Sequence, residues 1–338
     1  MAQCALAAVL FGATTPFASR LADDLNAGTL AGLLYVGAAL AVLPVALRTR
    51  DRTSVLRRGG RPLAVAVLAG GLVGPLLLAA GLARTPAATA SLLLNLELVA
   101  TTVLAAMFFG EHIGARIAAG SALVVLAGVV LAWSDVPELR IGALLIAGAC
   151  VCWGLDNCVT AELATVAPHE ITLVKGAVAG VTNVALGLAL GDSVPTAGAT
   201  LGALLFGAIG YGASITLWVR GARDLGAARG QLIFSTAPFV GVLIAWLVLG
   251  DALVGAQVLG VVLAATGVLL VMRSGHDHVH EHDAMEHTHE HTHDEHHQHH
   301  DADGPDRHTH VHRHEPLVHA HPHVPDLHHR HGHARRSE

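Results

Sequence analysis

An ionisable side chain at the centre of a lipid-spanning helix costs roughly 2.5–3.5 kcal/mol, so the few that occur there are the first candidates for chemistry. Glu97 lies well inside an apolar run covering 87–109, about 15 Å deep at ~1.5 Å per residue. A carboxyl at that depth can take up and release a proton or bind a cation. It can equally be a buried acid hydrogen-bonded to a neighbouring helix. Asn95 is two residues away, about 200° round a regular helix, so the two are not expected to share a face.

Asp156 and Lys175 form a second candidate group. Each stands a few residues inside the end of an apolar run, at 141–161 and 170–190. Both fall roughly 8–9 Å from the same membrane edge, where they can pair. Lys175 is the only lysine in the chain, and a lysine, unlike an arginine, can lose its proton when buried. Two readings stand: a coupling or gating pair, or a static ion pair or interfacial lysine. Trp153 and Asn157 share a helical face near Asp156, and Asn183 lies eight residues after Lys175. These positions suggest a polar lumen lined by Trp153, Asn157, Lys175 and Asn183, although structural hydrogen bonds explain the asparagines equally well.

The third group is a tail. Residues 276–338 hold 23 of the 25 histidines, many in His-x-His alternation. These are His276, His278, His280 and His282; His287, His289, His291 and His293; and His308, His310, His312 and His314. Neutral imidazole binds Zn, Ni, Co and Cu(II), so the tail is expected to capture such ions, although no cofactor is required. It can also act as a pH-responsive segment or a solvated appendage. Its composition and prolines favour disorder.

The elements that carry these residues are helices in a bilayer. Hydrophobic residues make up 53% of the chain and charged residues 14%, against about 25% charged in soluble domains. Charge-free runs mark Leu25–Leu47, Pro62–Ala83, Ile117–Ser134, Ser193–Val219, Gly230–Gly250 and Ala252–Met272. Four more spans, near 3–19, 87–109, 141–161 and 170–190, bring the expected number to ten. Aromatic residues are 4% of the chain, which argues against a β-barrel with aromatic girdles. The four cysteines lie in apolar surroundings and do not resemble a disulfide framework. The body lacks the basic patch that nucleic-acid binding needs, and no ATP-binding or hydrolase motif is present.

The chain repeats itself at an offset near 140. Gly81, Ala87, Ala88, Leu92, Ala105, Gly110, Gly120 and Leu123 correspond to Gly221, Ala227, Ala228, Leu232, Ala245, Gly250, Gly260 and Leu263. An acidic residue follows the glycine in each copy (Glu111, Asp251), and Phe11-Gly12 matches Trp153-Gly154. Five spans per unit, an odd number, place the two units in opposite orientations, a transporter signature. The expected units are 1–134 and 140–273, followed by the tail at 276–338. Arginines crowd the loops after spans 2 and 8 (Arg48, Arg50, Arg52, Arg57, Arg58, Arg61; Arg220, Arg223, Arg229). The positive-inside rule then puts both termini in the cytoplasm of a cell whose inner membrane holds the protein.

Gly81–Trp133 and Gly221–Met272 resemble the EamA-type family of the drug/metabolite transporter superfamily. Each has a small-residue helix entry, a Gly-acidic helix end and a Gly-rich last helix. The family often has Glu-Pro in the middle of this segment; here the copies read Glu97-Leu98 and Ala237-Pro238. The resemblance implies ten helices, a central cavity and movement of small solutes without ATP hydrolysis. The expectation is an ion-gradient-driven carrier whose substrate is either a divalent metal (Ni, Co or Zn) or, with the tail regulatory, an exported organic metabolite or amino acid. The alternative is a membrane metal sensor that transports nothing. The bilayer is the partner required, and a homodimer is left open.

Overall fold

A computed structural model describes residues 1–48, 54–109, 113–133, 136–161, 163, 166–191, 194–225 and 227–273, and four stretches of the tail. Side chains are described for most of the body; for 54–58, 109, 161, 223–225, 227–229 and the tail stretches the backbone alone is. The body, up to residue 274, and residues 275–324 form separate units.

Among the described residues of the body, ten helices are long and apolar enough to cross a membrane. They are α1 Ala2–Leu21, α2 Ala27–Ala46, α3 Gly59–Leu82, α4 Ala87–Phe108, α5 Ala115–Ala132, α6 Pro137–Thr160, α7 Pro168–Ala189, α8 Ala197–Ala222, α9 Gly230–Leu247 and α10 Gly255–Met272. Leucines and valines on their outer sides are exposed, as Leu144, Leu201 and Val262 show. In water such surface would be a liability; in lipid it is the solvated face.

The inversion of the two halves is visible in how equivalent helices meet. Helices α2 and α7 correspond under the repeat, and they pack antiparallel. Gly28 meets Gly187, Gly32 meets Val184, and Gly176 meets Tyr35 and Ala39. Helices α5 and α10 do the same, with Gly120 against Gly267 and Gly260 against Leu131. A Cβ at Gly176 would lie 2.6 Å from the Tyr35 carbonyl oxygen, so small residues set the interaxial distance here.

Both halves interrupt the same two helices. Helix α3 contains a π-helical segment at Ala66–Val73, and α8 contains one at Gly207–Ala213. Helix α4 is broken between the helical segments Ala87–Leu93 and Leu96–Phe109, and α9 between Ala227–Phe234 and Ala237–Leu247, with the Phe109 and Ala227 ends running slightly beyond the apolar spans. Irregular backbone at membrane depth is tolerated where it lies against protein or a cavity. Four such sites at matched positions therefore mark the interior of the bundle.

The duplicated Gly-acidic pair has a structural task. Gly250 turns the chain out of α9 with φ at 71°, a conformation suited to glycine. The following Asp251 Oδ2 accepts a hydrogen bond from the Ala88 backbone N–H at 3.2 Å, in the first turn of α4. A side chain beyond the end of α9 thus caps α4. Glu111, its counterpart, lies outside the described residues.

In the tail the described backbone comprises four strands: β1 His276–His282, β2 Met285–His291, β3 His308–His314 and β4 Leu317–His323. Composition favours disorder there, yet His-x-His alternation has the period of a strand. β1 pairs antiparallel with β4 and β2 with β3. The register sets His278 opposite His321 and His289 opposite His310. His293 lies outside the described residues.

Candidate functional site: an acidic cleft between the halves

Glu97 occupies the middle of α4, immediately after its break, and is 9% exposed. Two helices of the opposite half hold it. Asn157 Nδ2, on α6, donates to Glu97 Oε1 at 2.9 Å and to Thr101 Oγ1 at 3.2 Å. Gln231 Nε2, at the start of α9, donates to the same carboxylate oxygen at 3.3 Å. The acid lies in a cleft with Phe11, Asn95, Gln231, Phe234, Ser235 and Pro238 around it. An adjoining recess continues past Ser91 and Thr15. The cleft has room for about one water molecule, so the bundle is closed around the acid.

Asn95 departs from the sequence expectation. A regular helix would turn it away from Glu97, but the turn at Leu94–Asn95 intervenes and both residues line the cleft. Asn95 Nδ2 donates to the Leu92 carbonyl at 3.1 Å.

The expected single lumen divides in two. Asn157 belongs to the Glu97 cleft, while Asp156 and Trp153 face a separate cluster. There the Lys175 ammonium pairs with Asp156 Oδ2, with 5% and 9% of the two side chains exposed. Thr160 Oγ1 donates to Asp156 Oδ1 at 3.1 Å. Trp153 Nε1 donates to the Gly70 carbonyl at 3.1 Å, and the Tyr35 hydroxyl donates to the same oxygen at 2.5 Å. Gly70 lies within the π segment of α3, where carbonyls leave the regular ladder. Its bare Cα also admits the Asp156 carboxylate, which a Cβ would strike. Asn183 joins neither group; its Nδ2 donates to the Leu72 carbonyl at 3.2 Å between α7 and α3.

Sequence reasoning passed over Gln231 and Tyr35. Gln231 stands at the edge of a charge-free run beside Arg229 and so reads as a helix end. The repeat offers the missing signal, because an offset of 140 sets it on Ser91. An aromatic wall joins the clusters. Phe11 lies edge-on to Trp153 at 6.1 Å and to Tyr211 at 5.5 Å, and packs on Phe234 at 5.4 Å.

Two inverted five-helix units, matched breaks inside their spans and a buried acid between them define a membrane carrier. The model of the EamA-like transporter family matches residues 1–133 and 140–273. The chain belongs to that family. The Bacillus subtilis (strain 168) protein described as "Putative permease-like protein YdzE" is 33% identical to it over 76 residues, which are 22% of this chain and 97% of that protein. One crystal structure superposes with a TM-score of 0.60 at 21% identity, covering 79% of this chain and 95% of that one, and so supports the fold.

Proposed function

We propose that the protein is a secondary transporter in which a small organic solute passes the Glu97 cleft, with Glu97 as the group that exchanges a proton or holds a cation. One observation carries the reading. The buried carboxylate of the first half is held across the interface by two side chains of the second half, Asn157 and Gln231, beside paired helix breaks. Rocking of the halves would alter those bonds and the acid's access to either side. The donors at the cleft are carboxylate, amide and hydroxyl oxygens, which suit organic polar groups and hard cations better than Ni, Co or Zn. Transition-metal capture therefore falls to the tail, where His-x-His alternation and the facing histidines of the register favour it.

The Asp156–Lys175 pair is read as a brace rather than a carrier. Its carboxylate is engaged by Lys175 and Thr160 and fits tightly against Gly70. The arginine-rich loops support an inner-membrane orientation with both termini cytoplasmic.

The test is solute uptake into proteoliposomes under an imposed pH gradient, screened across a metabolite panel. Glu97→Gln keeps the shape and removes the exchangeable charge. It is expected to abolish gradient-driven uptake while the purified variant unfolds at the wild-type temperature. Undiminished uptake in a folded Glu97→Gln variant would remove Glu97 from the mechanism.

A further inference from the structure

The hydrogen-bond inventory of the cleft is unbalanced. Gln231 presents its amide nitrogen to the ionised Glu97 carboxylate, because that carboxylate has no hydrogen to give to an amide oxygen. Asn95 must present its nitrogen to the Leu92 carbonyl for the same reason. Their oxygens, Gln231 Oε1 and Asn95 Oδ1, are thereby fixed as acceptors, and both are buried without a partner. The residues are 6% and 2% exposed and both line the cleft. The Ser91 hydroxyl, in the adjoining recess, is also buried without a partner. Glu97 adds a carboxylate. The cleft thus offers amide and acid oxygens and a hydroxyl, and Lys175 is committed to Asp156.

A buried acceptor without a donor costs about 1–3 kcal/mol, and two in one cleft indicate a ligand that supplies N–H groups. An ionised buried carboxylate further requires a positive partner. Both demands are met by one chemical group. We propose that the cleft recognises a primary ammonium group of the transported solute, with Asn95 Oδ1, Gln231 Oε1 and the Glu97 carboxylate as its three acceptors. An –NH3⁺ group has three donors and about the bulk of the single water the closed cleft can hold. The rings of Phe11 and Phe234 line the same space, an apolar wall for the carbon skeleton that follows and a favourable face for a cation. This assignment rests on the transporter reading and specifies its substrate class.

The experiment uses the full-length protein in detergent, with n-butylammonium as the probe. The comparison probes are n-butyltrimethylammonium (the same charge and chain without N–H donors), n-butanol (a donor without charge) and sodium chloride. The unfolding temperature is followed against probe concentration at constant ionic strength. n-Butylammonium is expected to stabilise with an apparent affinity at least tenfold above each comparison probe. The near-isosteric variants Gln231→Met and Asn95→Leu should each weaken it about tenfold. Because the probe comparison is made in the unaltered protein, a variant that fails to fold leaves the test intact. Equal stabilisation by the quaternary ion would overturn N–H recognition. Equal stabilisation by sodium would mean an inorganic cation site, and the absence of any response would also overturn the proposal. Gradient-driven, Glu97-dependent uptake of a solute without an amine would sink this proposal alone, whereas uptake indifferent to Glu97→Gln would sink the transporter reading beneath it.

Discussion

Replacing Lys175 with methionine keeps most of the side-chain volume and strands Asp156 inside the bundle. The two side chains are 5% and 9% exposed, so little solvent can compensate. The Thr160 hydroxyl stays on Oδ1 at 3.1 Å, but one neutral donor does not replace an ammonium. Removing one partner of a buried pair costs about 3–5 kcal/mol, a more than hundredfold loss in the folding constant at about 1.4 kcal/mol per decade. Removing both partners, as in Asp156→Leu/Lys175→Met, leaves no stranded charge and should return stability to within about 1 kcal/mol of wild type. Reversible unfolding in mixed micelles, followed by circular dichroism, measures each corner of the cycle. If Lys175→Met costs less than about 1 kcal/mol, as an exposed pair would, the pair is not the buried brace described here. Loss of transport in a stable double variant would contradict the brace in the other direction and make the pair part of the gate.

Three further outcomes follow from the geometry. Gly70→Ala drives a methyl into the Asp156 carboxylate, and Gly210→Ala drives one into Thr14; each should destabilise by about 1–3 kcal/mol in the same unfolding assay, and a neutral pair would refute the matched close approaches. Asp251→Ala removes the cap on α4 and the 3.3 Å ion pair with Arg20, an expected loss of about 1 kcal/mol, whereas Asp251→Asn should recover part of it through the remaining oxygen. Deleting residues 276–338 should leave the unfolding temperature of the body unchanged and abolish high-occupancy zinc binding by equilibrium dialysis; zinc retained by the truncated protein would place the metal elsewhere.

The ten spans were legible because hydropathy reports length and apolarity, which the bilayer fixes. The inversion was legible because an odd number of helices per repeat permits no other arrangement. What hydropathy does not register is backbone irregularity. The breaks at Leu94–Asn95 and Ser235–Thr236 lie inside runs apolar enough to read as continuous spans, and the break is why Asn95 reaches the cleft that ideal helical geometry denies it. The π segments left a weaker trace, the glycines Gly70-Gly71 and Gly210-x-Gly212 at matching positions. Glu97 could be found by its charge. Gln231, neutral and two residues from Arg229, could be found only by carrying the repeat through to Ser91. Trp153 and Asn183 carry polarity on the expected lumen face, but they donate to the carbonyls of Gly70 and Leu72 instead.

Transport through the proposed site requires the cleft beside Glu97 to open to each side of the membrane in turn. Ser235 lines that cleft and is 5% exposed in the closed bundle. With Cys4, Cys150, Cys152 and Cys158 replaced by alanine, Ser235→Cys can be probed in oriented vesicles with a membrane-impermeant thiol reagent. Modification is expected from either face of the membrane. Modification from one face alone, or from neither, would contradict this requirement.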